Sequence, residues 1–202
     1  MVGCASYAQF RCGSANACSK GPTEGLQTLV DLIVKKNFPE ESGEYEAVVW
    51  MDSSIMNAWV DNDKKINYST QLIDNLTAEQ LLAVTAHEMA HLKLGHYYQT
   101  MGVNILSLAR EIALGMLNPL AGYLPVDSLI ESAFSRSKET EADLEAVKYL
   151  AKAGYSKKHF ISLLQWIKRN ESRSDTIFAT HPYASERIQS ILKFKLPASK
   201  NI

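Results

Sequence analysis

The stretch that most constrains this chain is His87-Glu88-Met89-Ala90-His91. It sits in an apolar run containing Leu81, Leu82 and Val84 before it and Leu92 and Leu94 after it. That run opens on Thr77-Ala78-Glu79-Gln80, where Thr at the cap and Gln three positions on form a capping box. A helix apolar on most of its sides belongs at the centre of a domain. Residues four apart on a helix project from one face, one turn apart, so His87 and His91 are placed to share one tetrahedral Zn²⁺. Glu88, beside the first imidazole, can reach a water in the open coordination position and serve as its general base. With five histidines in 202 residues, the motif alone also fits two ordinary histidines flanking a turn, so a third ligand has to be found elsewhere.

The best supplier is Lys138-Glu139-Thr140-Glu141-Ala142-Asp143. Glu139 and Asp143 are four apart and share a helix face. Glu139 can ligate the metal while Asp143 accepts the free ring N–H of a ligating histidine, which fixes the ring and its tautomer. Glu141 is the rival ligand, but it lies about 200° round the helix from Glu139 and points elsewhere. An isolated Glu/Asp pair would read as a plain acidic surface. Here it is the one apparent completion of a two-histidine site.

The rest of the chain reads as one globular domain. It has 202 residues, 46% hydrophobic and 21% charged, with a formal net charge of −1, which is enough to bury a core. No Lys/Arg run with interleaved aromatics marks a nucleic-acid surface. Residues 1–21 read as a flexible tether and 22–202 as the domain. Leu26, Leu29, Val30, Ile33 and Val34 give a helix from about Thr23 to Asn37. Strand candidates at 46–51, 57–60 and 65–68 surround the turn Asp61-Asn62-Asp63-Lys64. The expected fold is α+β and mainly helical, with a small antiparallel sheet packed on the H-E-x-x-H helix. Residues 101–134 are apolar, but Arg110-Glu111, Asn118-Pro119 and Pro125 interrupt them before the roughly 20 residues a bilayer needs. They read as two amphipathic helices lying on a membrane or over the site. Later helices are expected from Asp127 to Lys152, from Ser156 through Ile167, and around Ile188-Leu192, with a polar loop over 170–180.

The cysteines, Cys4, Cys12 and Cys18, lie far from the histidines in sequence, which argues against Cys-ligated zinc. Val2-Gly3-Cys4 resembles the end of a bacterial lipoprotein signal without the charged and apolar regions that precede one. Two readings stay open, a lipidated Cys4 after a trimmed signal or an accidental match. Likewise, Cys12 and Cys18 pair in an oxidising envelope compartment or remain free thiols.

Three motifs in order, His87 to His96, Ser135 to Asp143, and His181-Pro182-Tyr183-Ala184-Ser185-Glu186-Arg187, resemble the gluzincin metallopeptidases of the HtpX and CAAX prenyl protease family. The likeness runs from about Thr23 to the end. It is nearest to the soluble bacterial envelope members, which include the β-barrel assembly-enhancing protease and small lipoprotein peptidases. The resemblance implies a zincin-like domain with His87, His91 and Glu139 as zinc ligands, Glu88 as general base and acid, and Asp143 orienting His87. It also places His181 and Arg187 near the site as catalytic candidates. In the family a histidine at this place approaches the zinc and holds the enzyme latent, or stabilises the transition state. Both readings stay open for His181, as does a plain packing role; Arg187 is alternatively an ion-pair partner for a carboxylate. Asn57-Ala58-Trp59 resembles the family's edge strand over the cleft, where unpaired backbone groups would align an extended peptide. The plainer alternative is that Trp59 and Trp50 cover the core helix.

The expected activity is zinc-dependent endoproteolysis of misfolded or membrane-associated polypeptides. The expected place is the bacterial cell envelope, in the periplasm, with lipidated Cys4 or residues 101–134 as routes to a membrane. The runner-up is a latent or non-proteolytic zinc-binding chaperone or adaptor module.

Overall fold

The computed structural model describes residues 22–50, 56–61, 63–96, 136–170, 181 and 184–196. In chain order these form α1 (Pro22–Asn37), β1 (Glu46–Trp50), β2 (Ala58–Val60), β3 (Lys65–Ser69), α2 (Thr70–Asn75), α3 (Ala78–Lys93), α4 (Arg136–Lys152), α5 (Lys157–Arg169) and α6 (Ala184–Lys193), with one 3-10 turn at Pro39–Glu41. The tether over 1–21 with its cysteines, the apolar stretch 101–134, the expected start of α4 at Asp127, and most of the 170–180 loop lie outside the described residues. Among the described residues no helix is long and apolar enough to cross a membrane.

The capping box forms as its residues dictate: the Thr77 hydroxyl accepts from the Gln80 N–H, and the Gln80 side chain accepts from the Thr77 N–H. The helix it starts, α3, is buried at every residue from Leu81 to His91. It packs against α1, α4, α5 and β2. Small residues without exposed surface, Ala83, Ala86 and Ala90 on α3 and Ala142 and Ala146 on α4, allow these two helices to approach closely, since interaxial distance follows side-chain size. The buried residues of α4 are Glu139, Ala142, Asp143, Ala146, Val147, Tyr149 and Leu150. Its two carboxylates are therefore carried inward by the apolar residues that share their stripe.

The sheet is mixed, not antiparallel as the sequence suggested. Its order is β1-β3-β2. β2 and β3 form the expected antiparallel hairpin, Ala58 opposite Tyr68, but β1 runs parallel to β3, Glu46 opposite Lys65. The chain leaves β1, returns along β2 on the far side of β3, then turns tightly into the middle position, so the first and third strands point the same way. That turn is built by the Asp61 carboxylate, which accepts from the Asp63 and Lys65 N–H groups at 3.0 Å each, with Lys64 at φ 59°. A further short helix, α2, is started by the Ser69 side chain, which accepts from Leu72 N–H. Tyr68 ties the sheet to the central helix. The Thr85 hydroxyl donates to the Leu81 carbonyl at 2.8 Å, so the Tyr68 hydroxyl, 2.7 Å from Thr85 Oγ1, is the donor of that buried pair.

Candidate metal centre

His87, His91, Glu139 and His181 bring one ligand atom each into a single buried cluster, all within 4.8 Å of one another. His87 Nε2 lies 3.0 Å from His91 Nε2, 3.2 Å from His181 Nδ1 and 3.6 Å from Glu139 Oε2. His91 Nε2 is 3.2 Å, and His181 Nδ1 3.1 Å, from Glu139 Oε1. Four ligands held about 2.0–2.1 Å from a tetrahedral zinc stand about 3.3–3.4 Å apart, so separations of 3.0–3.6 Å fit such a shell.

Charge gives a second, independent test of fit. Glu88, Glu139 and Asp143 are fully buried and Arg187 is nearly so. With the imidazoles neutral, the form in which they ligate a metal, three carboxylates and one guanidinium leave a formal charge of −2 in the interior, which a divalent cation neutralises. Buried charge without a partner costs several kcal/mol per ion. The donor set of imidazoles and a carboxylate is one that zinc accepts.

The other side of each ring is occupied too. His87 Nδ1 lies 3.0 Å from Asp143 Oδ1, close although imperfectly aligned. His91 Nδ1 lies 2.9 Å from His96 Nδ1. His181 Nε2 lies 3.5 Å from Glu88 Oε1. Partners on the outer nitrogen direct the inner lone pair at a metal. Burial alone would lower the pKa of His87, but Asp143 and Glu139 outweigh it and raise it to about 9. For His91 burial dominates, with the charge of His87 added, and its pKa falls well below the histidine value. Burial would raise the Glu139 carboxyl, yet the charges of His181 and Arg187 hold it far below the usual carboxylate range.

Arg187 organises this cluster from behind. Its Nε and Nη2 donate to the two oxygens of Asp143 at 2.7 Å each, and its Nη1 donates to the His181 carbonyl at 3.0 Å. Nη1 is also 2.8 Å from Glu139 Oε2. The guanidinium thus bonds to two carboxylates and a backbone carbonyl of the cluster, the kind of contact the ion-pair alternative expects.

Of the residues singled out from sequence, His87, Glu88, His91, Glu139, Asp143, His181 and Arg187 therefore converge, with one addition. His96 was only part of a motif, and its contact with His91 was not foreseen; a histidine five residues past a ligand, straight after a glycine, is the signal that points to it. Glu141 does lie away from the ligand cluster, 3.3 Å from His96 Nε2. Asn57, Ala58 and Trp59 lie on and beside β2, an edge of the described sheet. Asn57 N–H donates to Ser69 Oγ, and its side-chain oxygen accepts from Ala58 N–H. Trp50 and Trp59 meet at 5.5 Å with Trp50 half exposed.

Residues 23–195 match peptidase family M48. The chain is 27% identical over 151 residues to metalloprotease YcaL of Escherichia coli (strain K12), covering 71% of this chain and 59% of that protein. It is 31% identical over 145 residues to metalloprotease LoiP of the same organism, covering 67% of this chain and 57% of the relative. A candidate beta-barrel assembly-enhancing protease of Vibrio cholerae serotype O1 is 29% identical over 125 residues, 54% of this chain and 26% of that protein. The chain thus spans less than two thirds of the length of these relatives.

Proposed function

Since this chain belongs to peptidase family M48, we propose that it is a zinc-dependent endopeptidase whose ion is held by His87, His91 and Glu139. The observation that carries this reading is the convergence of their ligand atoms at tetrahedral spacing, beside a fully buried Glu88. Bound zinc supplies Lewis acidity, which lowers the pKa of a water from about 15.7 to about 7 and polarises a peptide carbonyl. Glu88 takes the proton of the attacking water and returns it to the leaving amine. Asp143 keeps His87 in its ligating tautomer, and Arg187 keeps Asp143 and Glu139 in place. The outer edge of β2 beside Asn57, Ala58 and Trp59, where the Asn57 side chain now caps the Ala58 N–H, is the place for an extended polypeptide to pair.

His181 is assigned here to a latent state. Its Nδ1 stands at the fourth corner, and its Nε2 lies within 3.5 Å of Glu88. A water needs both places, so turnover requires His181 to withdraw. The same closed set of four protein ligands is what structural zinc sites use, and it favours, as a second reading, a non-proteolytic zinc-binding adaptor. A base buried beside the metal has no purpose in an adaptor. The beta-barrel assembly-enhancing name of the Vibrio relative supports substrates among misfolded or membrane-associated proteins of the bacterial envelope, with Cys4 as the route to a lipid anchor.

Cleavage of an unfolded protein such as casein separates the readings. Wild type and His181→Ala should both be measured, with and without chelator, alongside Glu88→Gln. Chelator should abolish cleavage and zinc restore it, and Glu88→Gln should lose about 10²–10⁴-fold while still binding zinc. Undiminished cleavage by Glu88→Gln rejects the assignment of the base, and no cleavage by either wild type or His181→Ala leaves the adaptor.

A further inference from the structure

His96 lies past the end of α3. Gly95, at φ 68°, turns the chain so that the following ring returns beneath His91, with centroids 5.0 Å apart and planes at 68°. His96 is buried, while the side chain of Glu141, 3.3 Å from its Nε2, is 62% exposed. The two histidines face each other Nδ1 to Nδ1 at 2.9 Å, so one ring donates and the other accepts.

The direction of that hydrogen bond is set by Glu141. A carboxylate only accepts, so His96 carries its proton on Nε2 and donates it to Glu141. A neutral imidazole then has its lone pair at Nδ1, and His91 Nδ1–H is the donor to it. With its proton there, His91 offers the Nε2 lone pair toward Glu139 Oε1 and His87 Nε2, at 3.2 and 3.0 Å. We infer that His96 and Glu141 are a positioning pair which fixes His91 as the Nδ1–H tautomer and so keeps its Nε2 available to the metal. This inference rests on the metallopeptidase reading and deepens it. Glu139 and Glu141, two apart on α4, thus serve opposite sides of one imidazole, the first beside its ligating nitrogen and the second through His96. The arrangement parallels His87, Asp143 and Arg187, but it ends at solvent.

The test uses the whole chain. Zinc affinity, measured by chelator competition, and the visible spectrum of the Co²⁺-substituted protein are compared for wild type, His96→Phe, His96→Asn and Glu141→Ala. Circular dichroism of each chelated variant monitors folding. His96→Phe should weaken zinc binding about 10–100-fold and alter the Co²⁺ bands. His96→Asn, whose side-chain oxygen can accept from His91 Nδ1–H, should recover most of the affinity and a near wild-type spectrum. Glu141→Ala, at an exposed position that leaves folding intact, should weaken zinc several-fold and decides the matter if His96→Phe does not fold. Equal zinc affinity in wild type and Glu141→Ala, or in wild type and a folded His96→Phe, overturns the proposal while leaving the ligand set standing. A folded wild type that binds no zinc overturns both.

Discussion

Arg187 grips Asp143 with two parallel hydrogen bonds of 2.7 Å, both side chains buried. This pair joins α6 to α4. Asp143 lies in turn against the ring of His87, so the final motif of the chain reaches the metal site through the second one. A fork of this geometry is specific to arginine, because the guanidinium is planar and its donors match both carboxylate oxygens.

Removing that guanidinium leaves Asp143 and Glu139 buried without their cation. Arg187→Ala should therefore cost about 3–5 kcal/mol in urea unfolding of the chelated protein. Arg187→Lys should recover less than half of this, since an ammonium cannot form the fork.

His181→Ala should raise cleavage of casein by the zinc-loaded protein several-fold and leave zinc content unchanged, because it clears both the fourth corner and the reach of Glu88. A fall in turnover in a steady-state assay would instead assign His181 to the transition state.

Glu41 gives a pH prediction away from the site. Its carboxylate accepts from Lys93, from Tyr45 at 2.7 Å and from Lys64 at 3.2 Å. Chiefly through Lys93 and then Tyr45, its pKa is lowered from 4.5 to about 2. A group depressed on folding stabilises the protein fully above its unfolded pKa, and that contribution disappears as pH falls from 4.5 toward 2. Glu41→Gln should cost about 0.5–1 kcal/mol at neutral pH, and its melting temperature should approach that of wild type through this window.

Among the described residues a Cβ at Gly95 meets nothing within 4 Å, and what opposes a side chain there is the backbone at φ 68°. Gly95→Ala should cost about 1–2 kcal/mol in thermal or urea unfolding, and it should weaken zinc binding by displacing His96.

What was legible in the sequence followed from local periodicity. The four-residue spacing of His87 and His91, and of Glu139 and Asp143, places each pair on one face. Thr77 and Gln80 set the start of the central helix. The parallel pairing of β1 was not legible, because the sequence marks the β2–β3 hairpin by its Asp61 turn but carries no comparable signal for which edge of β3 the first strand takes. The commitment of Arg187 to carboxylates could only be raised as an alternative, since it depends on α6 docking against α4. His96 escaped notice because a five-residue spacing matches no helix face; only the reversal at Gly95 returns it to His91.

The most direct measurement is metal stoichiometry combined with zinc-edge X-ray absorption on the zinc-loaded chain. One ion per chain is predicted, surrounded by four nitrogen or oxygen ligands at about 2.0–2.1 Å, and lost in His91→Ala. A folded chain that takes up no zinc, or an ion ligated by sulfur at about 2.3 Å, would contradict a centre built from His87, His91 and Glu139.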